Sequence, residues 1–350
     1  MATWQSEANL PFSPSGHVFF SPVIDNLVYL IDQGTNFYSL NLETGVYTLL
    51  TSPAYGWTGS YLTHGEGGVI QMTGRFYRMI TVSPDGNTLA VPSDGDFSTT
   101  HGTHAYNTGG ARRIEFYDIS ANTWSASKQT DFSLSAVPSP YIRSLVWEDN
   151  DILWCLVVRR YRTSSGWGFV CAKYVKSTDT FTAFSQSVVQ DTQTTHHGRY
   201  VGEGGMAIDD AKTTIYCGGT GHKNRMWREY DIAGDTWSTG ALFSPLTGEK
   251  GVFAYKRDTL YTYQRGLSGS PDDCQIAKHV LASGSQVATP DIFAANAARD
   301  DYFSPYVGIN DDEDLVVQWA TDSAPEIYSI AEFPSAGGSQ AHQLLGGAFI

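Results

Sequence analysis

Most of the nine histidines stand in Gly- and Thr-rich segments rather than in apolar runs. His64 and Glu66 lie in THGEGG, His101 and His104 in TTHGTHAYN, and His222 in GGTGHKNR. His196, His197, Arg199 and Glu203 share TTHHGRYVGEGG. Imidazole exchanges protons near neutral pH and ligates metals, carboxylates do both, and a guanidinium holds anions. If loops of one kind gather on one face, these nine form a candidate binding cluster, with His64, Glu66, His197, Arg199 and Glu203 at its heart.

The spacing argues against a firmer assignment. No HExxH, GxSxG, phosphate-binding loop or dinucleotide fingerprint occurs. GEGG supplies close backbone turns leading into a strand, a sufficient role for its glycines. No metal, cofactor or catalytic set is therefore assigned. The Asp-rich turns, including Asp311–Asp314, lack the alternating ligands and glycine of a calcium loop and read as hairpin turns. Arg159–Arg162 (RRYR) reads as a solvated strand end at a rim.

The elements that must position these residues are visible as a repeat. YDISANTW (Tyr117–Trp124) and YDIAGDTW (Tyr230–Trp237) are nearly the same phrase. Fainter copies are LNLETGVY (Leu40–Tyr47), YVKSTDTF (Tyr174–Phe181) and VLASGSQV (Val280–Val287). Each is an apolar strand end, a small polar turn and a new strand, which makes a β-hairpin. Upstream of each lies a second hairpin signal, an Asp/Asn/Gly turn followed by an apolar run: VIDNLVYLI, SPDGNTLAV, EDNDILWCLVV, DDAKTTIYC, YKRDTLYTY and NDDEDLVVQW. Two hairpins sharing a middle strand make a four-stranded antiparallel meander, repeated every roughly 50–60 residues, the range of propeller blades.

The sequence therefore predicts an all-β fold, a six-bladed β-propeller of four-stranded antiparallel blades. PEIYSI (Pro325–Ile330) has no following Thr-Trp partner, whereas the chain opens with Thr3-Trp4, so the N-terminal strand is expected to complete the last blade and close the ring. The blades run over 13–50, 51–128, 135–185, 200–240, 249–290 and 300–333 with 1–12. Residues 1–333 form one domain, and 334–350 a C-terminal tail expected to dock on a neighbour. The long second unit and the duplicated GEGG at 65–68 and 202–205 leave a seven-bladed reading open, although an insertion is preferred because no extra YDI…TW phrase accompanies it.

TTIYCGGTGHKNRMWREYDIAGDTW (Thr213–Trp237) resembles a kelch repeat: an apolar strand ending in Gly218-Gly219, a Tyr-Asp strand, and a Trp six residues after the Asp. The second blade keeps the Tyr-Asp and Trp, and the others only hydrophobic outlines. The resemblance implies a divergent kelch-like propeller, an architecture that hosts binding modules and enzymes alike. Trp4, Trp124 and Trp237 are expected to pack between blades.

Composition narrows the partners. The formal net charge of −14 disfavours a nucleic-acid partner. No apolar run is long enough to span a bilayer, and no signal peptide is visible ahead of Arg75, so cytoplasmic synthesis is expected. Cys155, Cys171, Cys217 and Cys274 read as buried thiols; neighbouring strands bring Cys155 near Cys171, the one disulfide considered. With no recognisable catalytic set, the functional expectation is a non-catalytic propeller serving protein interaction or the structure of a larger assembly, in protein complexes or as a homo-oligomer. Few lysines and many aromatics resemble viral or phage tail and decoration proteins, which implies incorporation into a virion. The alternative is a carbohydrate-binding or carbohydrate-active propeller with a glycan ligand. Sialidase-type Asp boxes are absent, since SPDGNTL sets Asp85 beside Gly86.

Overall fold

The computed structural model describes residues 5–9, 18–22, 24, 26–32, 36–41, 44–52, 62–63, 69–70, 80–93, 113–127, 141–160, 167–183, 201–220, 226–242, 250–256, 258–265, 274–283, 285–288, 306–309, 315–319 and 326–330. The regular elements among them are all strands. After β1 (Gln5–Asn9), β2 (Val18–Phe20), β3 (Leu27–Asp32), β4 (Phe37–Asn41) and β5 (Tyr47–Leu49) form the first four-stranded antiparallel sheet. β6 (Leu62–Thr63) and β7 (Val69–Ile70) pair only with each other among the described residues. The second sheet is β8 (Thr81–Val82), β9 (Thr88–Ser93), β10 (Arg113–Asp118) and β11 (Thr123–Ala126). The third is β12 (Tyr141–Trp147), β13 (Ile152–Arg160), β14 (Trp167–Val175) and β15 (Thr180–Ala183).

The fourth sheet is β16 (Val201–Ile208), β17 (Thr214–Thr220), β18 (Met226–Asp231) and β19 (Thr236–Leu242). The fifth is β20 (Lys250–Lys256), β21 (Thr259–Arg265), β22 (Cys274–Val280) and β23 (Ser285–Ala288). The last contains β24 (Tyr306–Ile309), β25 (Leu315–Trp319) and β26 (Glu326–Ile330), with β1 along its outer edge, Gln5 opposite Ser329 and Asn9 opposite Glu326. Each of the first five four-stranded sheets is a meander of two hairpins, and the last takes β1 in place of a fourth consecutive strand. The arrangement is propeller-like, and the first strands β8, β12, β16, β20 and β24 lie one beside the next.

Both faces of the third sheet are covered, which explains why Ile152–Val158 is a continuous apolar run rather than an alternating one. Cys155 and Val157 point with Leu145 and Trp147 towards Ala90, Ile114 and Phe116 of the second sheet. Trp154 and Leu156 point the other way, into a cluster with Met206, Ile215, Cys217 and Tyr230 of the fourth. Each such side chain, fully buried, stabilises the fold by about 1.5–3 kcal/mol. The register corrects the disulfide considered from sequence. Cys171 stands opposite Leu156, not Cys155, and joins the cluster on the opposite face of the sheet. Cys155, Cys171 and Cys217 are free and buried.

The repeated phrase is explained by its turn. In the second sheet Tyr117 stands opposite Trp124 with ring centroids 5.1 Å apart, and its hydroxyl donates to Asn122 Oδ1 at 2.9 Å. In the fourth, Tyr230 stands opposite Trp237 at 5.0 Å and donates to Asp235 Oδ1 at 2.8 Å. In the third, Tyr174 stands opposite Phe181 at 4.5 Å and donates to Asp179 Oδ1 at 3.0 Å. The acceptors Asn122, Asp179 and Asp235 have φ of 52°, 49° and 47°, and Gly45 occupies the same place in the first sheet with φ 68°. Left-handed backbone costs an ordinary side chain energy, and Gly, Asn and Asp bear it best.

The Asp of the phrase caps the turn. Asp118 Oδ1 accepts the Ala121 N–H at 2.8 Å, Asp231 Oδ1 that of Gly234 at 3.0 Å, and Asn41 Oδ1 that of Thr44 at 3.0 Å. The third sheet has Val175 there, and Asp151 from the preceding hairpin accepts the Ser177 N–H at 2.6 Å and its hydroxyl at 2.8 Å instead. The two hairpin turns of a sheet are also stitched together. Asn87, Asp151, Thr213 and Asp258 carbonyls accept from Ile119, Lys176, Ile232 and Leu281 at 2.8–3.0 Å.

That last bond corrects the fifth copy. Leu281 stands two residues after His279, as Ile232 stands two after Tyr230, and His279 pairs with Gln286. His279, not Val280, therefore occupies the tyrosine position, 7% exposed. Trp124 packs between sheets as expected, its ring 5.1 Å from Phe37 and its Nε1 donating to the Thr51 carbonyl at 2.7 Å. Trp237 packs on the cluster between the third and fourth sheets. Trp4 lies outside the described residues.

Candidate functional site

Antiparallel meanders put the two hairpin turns of a sheet at one end and every other connection at the opposite end. His101 and His104 belong to the connection β9–β10, His222 to β17–β18, and His196, His197 and Arg199 to the one entering β16; His64 and Glu66 stand between β6 and β7. All eight lie outside the described residues. Their connections leave the sheets at ends away from the hairpin turns, or, for His64 and Glu66, between the first sheet and the second. Glu203 is the one candidate placed, in β16, on an edge of the fourth sheet that packs beside β12 and β20.

Glu203 sits where the ladder is irregular. Pairing of β16 with β17 shifts between Val201 and Gly204 and again between Gly204 and Met206. β12 shifts between Ile142 and Ser144, and β20 between Val252 and Ala254. The residues skipped are Arg143, Gly205 and Phe253, so three adjacent first strands each carry a bulge. A bulge leaves a residue unpaired and bends its strand, and bulges recur beside active sites. The second GEGG thus lies within a bulged first strand. The first flanks β7, part of a separate two-stranded sheet.

Sequence reasoning passed over two residues on β10. Ile114 and Phe116 face the third sheet, so Arg113, Glu115 and Tyr117 share the other face. Glu115 is 1% exposed, and Arg113 is half-buried where β10 begins, next to the connection carrying His101 and His104. The signal was present in RIEFYD: alternating charge within a strand that has no solvent face. Ser144, 1% exposed, forms no hydrogen bond through its Oγ, at the bulge of β12.

The hairpin-turn end is chemically different. Hydrogen bonds from Ser83 and Asn87 hold the Asp85 carboxyl below its usual range, and bonds from Ala121 and Ser120 do the same for Asp118. Burial pushes the Tyr117 hydroxyl up to about 12, and raises Tyr174 and Tyr230 further with help from the bonded Asp179 and Asp235. These shifts have structural causes. Among the described residues no cluster of three or more His, Cys, Asp or Glu is placed to hold a metal, and no helix is long and apolar enough to cross a membrane.

No protein-family model and no curated protein sequence matches the chain. A solved luciferin-regenerating enzyme matches in structure with a TM-score of 0.51 and 9% identity, over 95% of this chain and 96% of that one. The extracellular domain of a hybrid two-component system protein from B. thetaiotaomicron matches with a TM-score of 0.44 and 11% identity, over 94% of this chain and 35% of that one. The first likeness carries the fold, and it overturns the functional expectation. The non-catalytic assembly reading rested on a complete ring without a recognisable catalytic motif, yet the luciferin-regenerating enzyme shares this architecture. Neither match connects the chain to a virion or to a structural role. What the comparisons establish is a β-propeller-like architecture of four-stranded antiparallel sheets.

Proposed function

We propose that the chain is an enzymatic propeller of six blades, closed by β1 in the last blade, which performs acid–base chemistry on a small anionic substrate at the end of the ring away from the hairpin turns. Six four-stranded sheets, adjacent first strands and the pairing of β1 with β26 support the ring. Gly218-Gly219 in β17 and Tyr230-Asp231 in β18 support a kelch-like descent of the blade. The observation that carries the site is that the adjacent first strands β12, β16 and β20 are each bulged, with Glu203 beside the irregular pairing of the middle one.

In this reading Glu203 and His197 exchange protons with substrate or water, and Arg199 pairs with a substrate carboxylate. His64, Glu66, His101, His104, His196 and His222 are assigned binding rather than proton transfer. The test is turnover of a panel of small carboxylate-bearing esters by the wild type, Glu203→Gln and His197→Ala. Loss of a positioned acid or base is expected to lower kcat about 10²–10⁴-fold. Wild-type rates in both variants, with folding verified by circular dichroism, would sink the assignment; absence of any turnover by the wild type counts against the substrate class.

A further inference from the structure

We infer that Cys171 and Cys217 are a dithiol pair that closes to a disulfide across the boundary between the third and fourth sheets when the protein meets a thiol oxidant. Cys171 comes from β14 and Cys217 from β17, and both belong to the cluster that joins the two sheets. They are 0% and 1% exposed, and the Cys217 thiol lies near enough to raise that of Cys171. The register explains the meeting. Ser144, Leu156 and Cys171 form one row across the third sheet, and Met206 and Cys217 one row across the fourth. Cys155 faces the second sheet and serves as an internal control.

The chemistry suits the surroundings. Two S–H bonds break, one S–S bond forms, and both hydrogens with their electrons pass to the oxidant; a diazene takes them on its two nitrogens and becomes a hydrazine. The product is neutral, as an apolar boundary requires. The attacking thiolate is not. Burial, the neighbouring Cys217 thiol and its charge hold the Cys171 thiol far above its ordinary range, so closure proceeds through local opening and is slow under native conditions. The cross-link would tie together the two ends of the segment that carries His196, His197, Arg199 and Glu203. The cross-link itself does not depend on the proposed activity.

The test treats the full chain with the diazene oxidant diamide at pH 8 in sub-denaturing urea, blocks remaining thiols, and maps peptides by mass spectrometry without reduction. The expected result is a peptide pair joined through Cys171 and Cys217, lighter by two hydrogens, in the wild type and in Cys155→Ala. The thermal midpoint should rise by about 5 °C and fall back on adding dithiothreitol. Cys217→Ala should lose the joined pair; Cys171→Ser replaces it if that variant does not fold. A Cys155–Cys171 link, or Cys171 and Cys217 both recovered as blocked thiols after prolonged oxidation, would overturn the inference.

Discussion

The two ends of the sheets are built on opposite principles. At the hairpin-turn end of the second, third and fourth sheets the same bonds recur: a tyrosine hydroxyl on a left-handed turn residue, an aromatic ring across the strand pair, and a carbonyl linking one hairpin to the next. Neighbouring sheets are tied there too, with Asn150 Oδ1 accepting from the Asp85 N–H at 3.1 Å and Lys176 Nζ reaching Thr88 Oγ1 at 3.2 Å. At the other end the connections differ in length and sequence. The connections there include residues 94–112 and 184–200 as well as the short 161–166 and 221–225. Repetition marks the end that holds the fold, and the varied connections at the other end are where the proposed site is sought.

The comparison breaks most sharply at the sheet boundaries. Trp154 is buried against Tyr230, ring centroids 5.8 Å apart, and its Nε1 donates to Glu148 at 2.7 Å. Trp154→Ala should cost about 3–5 kcal/mol in urea unfolding, whereas alanine at an exposed site such as Ser125 should stay within about 0.5 kcal/mol. A loss below 1 kcal/mol would mean that the third and fourth sheets do not depend on each other.

The turn network should answer on a smaller scale. Asp235→Ala removes the acceptor of a buried tyrosine hydroxyl and puts a less tolerant residue at positive φ, so about 1–3 kcal/mol should be lost. Asp235→Asn keeps both features and should lie within about 0.5 kcal/mol. Equal losses from the two would show that charge, and not the hydrogen bond, holds the turn.

Two pH limits follow from the same end. Asp85 and Asp118 have folded-state pKa values below the unfolded 3.8, so the folded state binds fewer protons there. Their contribution is complete above the unfolded value and disappears as pH falls through the folded ones; Asp85→Asn with Asp118→Asn should flatten the acid limb of an unfolding titration. Tyr117, raised to about 12, and Tyr174 and Tyr230, raised further, act in the opposite sense. Their contribution is whole below pH 10 and shrinks as pH rises towards the folded values, which Tyr230→Phe should reduce. An alkaline limb unchanged in that variant would contradict the assigned cause.

The smallest effect sharpens the equivalence of the turns. Gly45, φ 68°, with nothing within 4 Å of a built Cβ, occupies the place of Asn122 and Asp235. Gly45→Asn should change stability by less than about 0.5 kcal/mol, and Gly45→Val should cost about 1–2 kcal/mol because a β-branched residue resists left-handed backbone. Equal costs would separate the first turn from the others.

The strands and both families of hairpin were legible because turn chemistry is local. Tyr, Asp, a left-handed residue and Trp must follow at fixed spacing for one turn to close, so the phrase survives in the letters. The fifth copy was misaligned by one residue because His279 lacks the phenol that marks the position, and only the pairing with Gln286 reveals it. The candidate residues were legible by type alone: Glu203 is found in β16, but its bulge comes from pairing with β17 and leaves no mark in GEGG.

By itself the sequence determined the all-β class, the four-stranded unit and the joining of the first strand to the last, since each depends on residues close along the chain or on an unpaired strand seeking a partner. Tertiary structure decided which faces meet. Cys155 and Cys171 sit on adjacent strands yet point apart, whereas Cys171 and Cys217 come from different sheets and share a cluster. The reason is that side-chain direction alternates along a strand, and register, a property of two strands, sets which side each residue takes.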